Sequence, residues 1–146
     1  MAIEAAMLEN WRPRALAVLR IVTGFLLIPH GTAKLFGVPH QQMFDGLQLF
    51  SLMGLAGVIE VFLGALFLIG LFTRPVAFVL CGFMAAAYFM AHGSQGNVLL
   101  PMLNQGELAV LYCFVFLYFV FSGAGAWSVD ALRHGTRAAR FAQTAH

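Results

Sequence analysis

The protein has 146 residues, of which 61% are hydrophobic and 10% are charged, and its mean hydropathy is +0.85. Soluble domains carry about 25% charged and about 45 to 50% apolar residues. The composition therefore excludes an ordinary cytosolic or secreted globular protein and predicts a protein that crosses a membrane several times. The net charge of +2 is too small to indicate nucleic acid as a partner. Cys81 and Cys113 show neither a CxxC motif nor a metal-ligand spacing, so no disulfide framework is predicted.

Four apolar segments are long enough to cross a membrane, which takes about 20 mainly apolar residues. In chain order they cover about residues 14–34, 49–72, 75–92 and 107–129. The first ends without the small-residue pattern of a cleavable signal, so we expect it to remain part of the protein. Because the spans use most of the chain, the sequence predicts one membrane domain over residues 1–146. This domain is expected to be an all-α four-helix bundle with a basic tail at 130–146.

The basic residues are distributed unequally between the two ends of the predicted spans. Seven belong to one side, and they are Arg12, Arg14, Arg20, Arg74, Arg133, Arg137 and Arg140. The other side has Lys34 alone. Since basic residues are retained on the cytoplasmic side, this bias predicts that both termini are cytoplasmic. The arginines between Ser128 and Arg140 recur at helical spacing, which predicts a short helix on the membrane surface.

The two loops on the predicted outer side are apolar rather than polar. They cover residues 35–48 and 93–106, and the second contains an almost continuous apolar run at 98–103. Each loop is expected either to lie on the lipid headgroups or to fold back as a lid.

One charged residue interrupts the apolar run of each of the first two predicted spans, Arg20 in the first and Glu60 in the second. Such residues cost about 2.5 to 3.5 kcal/mol each at membrane depth and usually face another helix with a partner. We therefore predict a structural ion pair between Arg20 and Glu60. Glu60 shares a helix face with Gly57 and Gly64, and small residues on one face predict close packing of two helices.

A cluster of polar residues is predicted at the outer ends of the spans. Its members are His30 and Lys34 on the first span, Tyr88 and His92 on the third, and Asn104 and Glu107 at the start of the fourth. Polar groups beneath apolar loops are a common setting for a small amphipathic ligand. We predict His92 and Glu107 as proton-transfer residues and the other four as ligand-binding residues. An alternative left open is that Lys34 and Glu107 form a structural pair, or that Lys34 reaches the headgroups.

Several sequence motifs in this order resemble the DoxX family of four-helix bacterial membrane proteins. They are residues 19–24, 30–37, 57–60, 70–75, 104–109 and 123–130, and the matching functional residues are Arg20, His30, Lys34, Glu60, Asn104 and Glu107. Gln105 stands where the family often has glycine, and Ala124 where it often has proline. The resemblance implies a multi-pass protein of the bacterial inner membrane. It also implies a role near quinones or thiol redox balance, because relatives are described as subunits of quinol-oxidising and thiosulfate:quinone oxidoreductase systems.

Three functions follow from these observations. The first is a quinone-interacting redox protein or an accessory subunit of a membrane oxidoreductase, in which His and Lys bind the quinone and a carboxylate or imidazole moves protons. No haem pair, flavin fold or metal site is evident in the sequence, so electrons would come from a partner protein or the quinone pool. The second is a small-molecule binding or transport module, or a structural subunit of a hetero- or homo-oligomer, without catalysis of its own. The third, a thiol oxidoreductase, is disfavoured because Cys81 and Cys113 are expected at different depths.

Overall fold

A computed structural model describes the backbone of residues 2–135 and the side chains of residues 7–135. All regular elements in this part of the chain are helical, which confirms the predicted all-α class. The main helices are α1 (Ala2–Phe36), α2 (Leu52–Ile69), α3 (Thr73–Ala87) and α4 (Glu107–Ser122). Arg137 and Arg140 of the predicted surface helix lie outside the described residues, although residues 129–135 are helical.

Three segments are long and apolar enough to cross a membrane: Met7–Phe36, Leu52–Ile69 and Thr73–Gln95. They correspond to the first three predicted spans. The fourth was predicted to reach residue 129, but α4 ends at Ser122. Gly123 and Gly125 have φ of 77° and 72°, which leave the right-handed helical region. The remaining 16 residues make α4 about 24 Å long, shorter than a hydrocarbon layer of about 30 Å.

The described chain forms two compact units. The first contains residues 2–72 and 124–135, and the second contains residues 73–123. In the first unit, α1 and α2 pack as an antiparallel pair on small residues. A Cβ added to Gly31 would lie 2.6 Å from the carbonyl oxygen of Gly57, a distance that no real side chain tolerates. Glycine at this position therefore sets how closely the two helices approach.

The second unit is built on the antiparallel pair α3 and α4. Three contacts repeat at intervals of seven residues along the pair. Arg74 meets Val120 and Cys81 meets Cys113 on the two helices, and Tyr88 meets Gly106 one residue beyond α3 and one before α4. A seven-residue repeat is typical of two helices that keep one face together along their length. Beyond this pair, the chain continues from α3 through a π-helical turn (Tyr88–His92) and a 3-10 turn (Gly93–Gln95) into a loop that leads to α4.

Candidate functional site

The first polar feature is an ion pair between Lys34 on α1 and Glu60 on α2. Lys34 Nζ lies 2.6 Å from Glu60 Oε1 and 2.5 Å from Oε2. The two side chains are only 10% and 7% exposed. Gly57 faces Lys34 and gives the helices the close approach that this pair requires. His30, one turn earlier on α1, also interacts electrostatically with Glu60.

Arg20 is fully buried and is satisfied by backbone carbonyl groups. Its Nε donates to Ala124 O at 2.9 Å, and Nη2 donates to Trp127 O at 2.8 Å. Its Nη1 donates to Phe67 O at 3.0 Å and to Leu68 O. The last carbonyls of a helix have no partner within the helix, so Arg20 caps the end of α2 and fastens the segment after α4 to it.

The predicted ion pair between Arg20 and Glu60 was therefore wrong. Both oxygens of Glu60 are bonded to Lys34, and the acidic side chain that interacts electrostatically with Arg20 is Asp130. The reason is the register of α1 against α2. Gly24 lies beside Leu68, which puts Glu60 level with residues 31–32 of α1. Arg20 is 11 or 12 residues away from that level, or roughly 17 Å at 1.5 Å per residue.

The second polar feature is the loop cluster, which we define as Tyr88, His92 and Asn104. Tyr88 Oη donates to Val98 O at 2.6 Å and accepts from Asn104 Nδ2 at 3.2 Å. Asn104 Oδ1 accepts from the backbone N–H of Gly106 at 3.0 Å. Tyr88 and Asn104 are each only 6% exposed. The cluster thus ties the end of the third predicted span to the loop that precedes α4.

Among the described residues, only one ring nitrogen of His92 has a hydrogen-bond partner. Its Nδ1 lies 3.1 Å from the carbonyl oxygen of Asn104, which can only accept, so Nδ1 carries the proton. In the neutral ring Nε2 is then an acceptor, and within the described residues it has no hydrogen-bond partner. The Tyr88 ring lies nearly parallel to the imidazole, with centroids 6.4 Å apart and planes at 20°. His92 is half-buried, so Nε2 remains available to a ligand.

The structure brings together some of the six predicted outer residues. Lys34 and His30 lie with Glu60 in the first unit, whereas Tyr88, His92 and Asn104 meet in the second. Glu107 begins α4, is exposed and has no hydrogen-bond partner among the described residues. The partner of Lys34 within the first unit is thus Glu60, and the alternative Lys34–Glu107 pair stays a prediction. Convergence of all six residues on one ligand stays a prediction.

A cleft of about 260 Å³ lies beside Lys34 in the first unit. It is lined by the end of α1 and the loop that follows, including His40, Phe44 and Asp45. Lys34 Nζ lies 5.5 Å from the centroid of the Phe44 ring. Sequence reasoning missed these three loop residues because they belong to no apolar span. The sequence feature that could have indicated these residues is the polar pair His40 and Asp45, which lie on either side of a short 3-10 helix.

The two cysteines are neighbours, which corrects the prediction that they lie at different depths. Cys81 Sγ on α3 lies 3.7 Å from Cys113 Sγ on α4. The prediction aligned His92 with Glu107 as the facing ends of the two helices. In the structure Tyr88 faces Gly106 instead, because the five residues after Ala87 form the π-helical turn. This shift brings the two thiols to the same level.

Comparison with known proteins identifies the chain. The profile of the DoxX family matches residues 15–93, more than half of the sequence. The chain belongs to the DoxX family. The DoxX match includes Arg20, Lys34, Glu60, Tyr88 and His92, and thus both partners of the buried ion pair.

A relative matches this DoxX protein over more of its sequence than the family profile does. An uncharacterized protein of Haemophilus influenzae is 48% identical over 125 residues, which cover 84% of this chain and 93% of the relative. No solved structure matches the sequence. Family membership and the apolar helices together indicate a membrane protein.

Proposed function

We propose that this DoxX protein is a quinone-interacting redox protein or an accessory subunit of an oxidoreductase in the bacterial inner membrane, which it crosses several times. The observation that supports the proposal is His92, whose Nδ1–H is committed to Asn104 O while Nε2 is an uncommitted acceptor. A reduced quinone carries hydroxyl groups, which donate hydrogen bonds to such an acceptor.

The residues around His92 fit a flat amphipathic ring. Tyr88 and Phe89 supply aromatic faces, with their ring centroids 5.4 Å apart in an edge-to-face arrangement. The carbonyl of Asn104 accepts from Nδ1–H and so fixes the orientation of the imidazole. A bound quinone supplies the two-electron chemistry. His92 supplies a proton acceptor, and the exposed carboxylate of Glu107 supplies a second proton-transfer group at the start of α4.

His30 and Lys34 belong to the proposal as ligand contacts of the first unit. The ammonium group of Lys34 has three donors, of which Glu60 takes two. The third is available to a ligand carbonyl. We infer that the electrons pass to or from a partner redox protein or the quinone pool, and that the lipid bilayer delivers the quinone.

Binding of a short-chain quinol to the purified protein in detergent tests the proposal. His92→Gln keeps a polar side chain but removes the basic Nε2. We expect the quinol affinity to fall about two- to tenfold, since a hydrogen bond between neutral groups contributes about 0.5 to 1.5 kcal/mol. His134→Gln is the matched control, because His134 is exposed and belongs to neither polar feature. The His134→Gln variant should bind the quinol with the same affinity as the parent.

The folded state of each variant is checked by its melting temperature in the same detergent. If His92→Gln remains folded and binds quinol as the parent does, the proposed role of His92 is wrong. If the parent neither co-purifies with quinone nor binds added quinol, the quinone function itself is wrong.

The cleft beside Lys34 favours a second candidate, a small-molecule binding or transport module that acts without redox chemistry. Its lining combines the Lys34 ammonium, the Asp45 carboxylate and the rings of His40 and Phe44, a set that suits a small polar molecule with an apolar part. A His40→Ala variant separates the two candidates. It should weaken binding of such a molecule and leave quinol binding unchanged if the cleft is the working site.

A further inference from the structure

Cys81 and Cys113 form a pair of thiols on facing helices in the second unit. Their sulfur atoms are 3.7 Å apart, both residues are half-buried, and neither takes part in the loop cluster. The contact is the middle one of the three that repeat every seven residues along α3 and α4. Packing of the helices above and below therefore holds the two thiols at the same level.

The separation of the sulfur atoms is close to that needed for a covalent bond. A disulfide has an S–S length of about 2.03 to 2.05 Å. The thiols therefore need to approach by less than about 2 Å, which small changes in the χ1 angles of both residues can supply. No other cysteine is present in the sequence to compete for either thiol.

We propose that Cys81 and Cys113 are a reversible dithiol that closes into a disulfide between α3 and α4 when it meets a lipid-soluble two-electron oxidant of the quinone class. The two S–H bonds break and one S–S bond forms. The two electrons and two protons released go to the carbonyl oxygens of the oxidant, which becomes a quinol. Reduction by an external dithiol restores both thiols by exchange through a mixed disulfide.

The proposal goes beyond the ligand site at His92 and does not depend on it. The cysteines lie along the middle of α3 and α4, whereas His92 and Asn104 lie beyond Ala87 in the turn and the loop. Because both cysteines are half-buried, a lipid-soluble oxidant has access to them from the surface of the chain.

The test starts from reduced, purified protein in detergent and adds duroquinone, a fully substituted benzoquinone with no free ring position for thiol addition. We expect loss of two hydrogen atoms in the intact mass and loss of both maleimide-reactive thiols after unfolding. A single cross-linked peptide containing Cys81 and Cys113 should appear, and dithiothreitol should reverse the change. Diamide, a thiol-specific oxidant, is used in a parallel sample.

The matched control moves one thiol around α4. In the double variant Cys113→Val with Phe114→Cys, the new thiol lies about 100° further around the helix, away from α3. We expect closure to be at least tenfold slower than in the parent at equal melting temperature. Retention of both thiols by the parent under diamide would overturn the dithiol assignment. Closure under diamide but not under duroquinone would overturn the assignment of a quinone oxidant, and equal rates for parent and control would show that the native geometry is irrelevant.

Discussion

At the scale of single residues, the buried cations Lys34 and Arg20 of the first unit are stabilised by different means. Lys34 and Glu60 neutralise each other directly, whereas Arg20 spreads four hydrogen bonds over backbone carbonyls. Arginine suits the second task because its planar guanidinium has five donors in a fixed arrangement. A lysine has only three donors and could not bond all four carbonyls.

The ion pair predicts non-additive effects on stability. Lys34→Met or Glu60→Gln alone leaves an unpaired buried group and should cost about 3 to 5 kcal/mol. The double variant should recover much of that loss, because no buried charge then lacks a partner. Thermal unfolding in detergent measures all three variants. Additive losses in the double-mutant cycle would show that the two side chains do not stabilise each other.

Arg20→Lys should be nearly as harmful as Arg20→Ala. The lysine keeps the charge but loses the fork that reaches Ala124, Trp127 and the end of α2, so at least one of the four carbonyls loses its bond to residue 20. Each unsatisfied buried group costs about 1 to 3 kcal/mol. Arg14→Lys, a change at an exposed arginine bonded only to Asn10 O, serves as the control and should have little effect. Similar melting temperatures for both lysine variants would contradict the role of Arg20.

The sequence predicted that Arg20 and Glu60 need partners, but it named the wrong ones. The cost of burying a charge is local and can be read from the span in which the residue lies. The partner depends on how far one helix is shifted along another. That shift is fixed by contacts such as Gly24 with Leu68, which the helical periodicity of either segment does not contain.

At the scale of secondary structure, the register of α3 and α4 decides which residues meet. Each helix was predicted from its apolar run, and the third span was predicted to reach residue 92, but the π-helical form of its last five residues was not predicted. Tyr88, the first residue of this turn, faces Gly106, and His92, its last residue, is hydrogen-bonded to Asn104. Sequence reasoning placed Tyr88, His92 and Asn104 in one functional set, and the structure shows that these three are hydrogen-bonded or stacked together.

Gly106 should be sensitive to a single added methyl group. A Cβ at this position would collide with the Tyr88 ring and lie 2.8 Å from Asn104 Oδ1. Gly106→Ala should therefore displace Tyr88 and destabilise the protein by about 1 to 3 kcal/mol, the usual cost of overpacking. Gly82→Ala is the control, because nothing lies within 4 Å of an added Cβ in the middle of α3. It should stabilise the helix by about 0.5 to 1 kcal/mol.

Thermal unfolding and hydrogen exchange of the amides at residues 96–106 measure both glycine variants. Faster exchange in Gly106→Ala alone would show that the loop has been released. If both variants melt at the same temperature with unchanged exchange, the contact between Gly106 and Tyr88 does not hold the loop.

At the scale of the whole molecule, composition and motif order predicted the all-helical class and the DoxX family, which the structure and the comparison confirm. Both properties depend on the average character of long segments. The number of membrane crossings does not follow from the average character of a segment, because α4 is apolar but has only 16 residues. A short apolar helix crosses a bilayer only if the bilayer thins or flanking residues reach the headgroups, at a cost of fractions of a kcal/mol per Å.

Reporter fusions determine whether α4 crosses. In the second unit Arg74 Nη1 donates to Val120 O at 3.1 Å, so α4 ends beside the start of α3. In the first unit Arg20 binds both the end of α2 and the segment at Ala124 and Trp127. Within the first unit, therefore, the segment that follows residue 123 lies beside the end of α2. The basic residues predict that this end is cytoplasmic.

We therefore expect a cytoplasmic signal from a reporter fused at His146 and an external signal from one inserted after Gln95. A fusion within the α1–α2 loop, after Asp45, should also be external and controls for the orientation of the first two spans. An external signal at His146 with the other two unchanged would mean that α4 does not cross. Reversal of all three signals would mean that the basic bias does not set the orientation, and it would move the loop cluster to the cytoplasmic side.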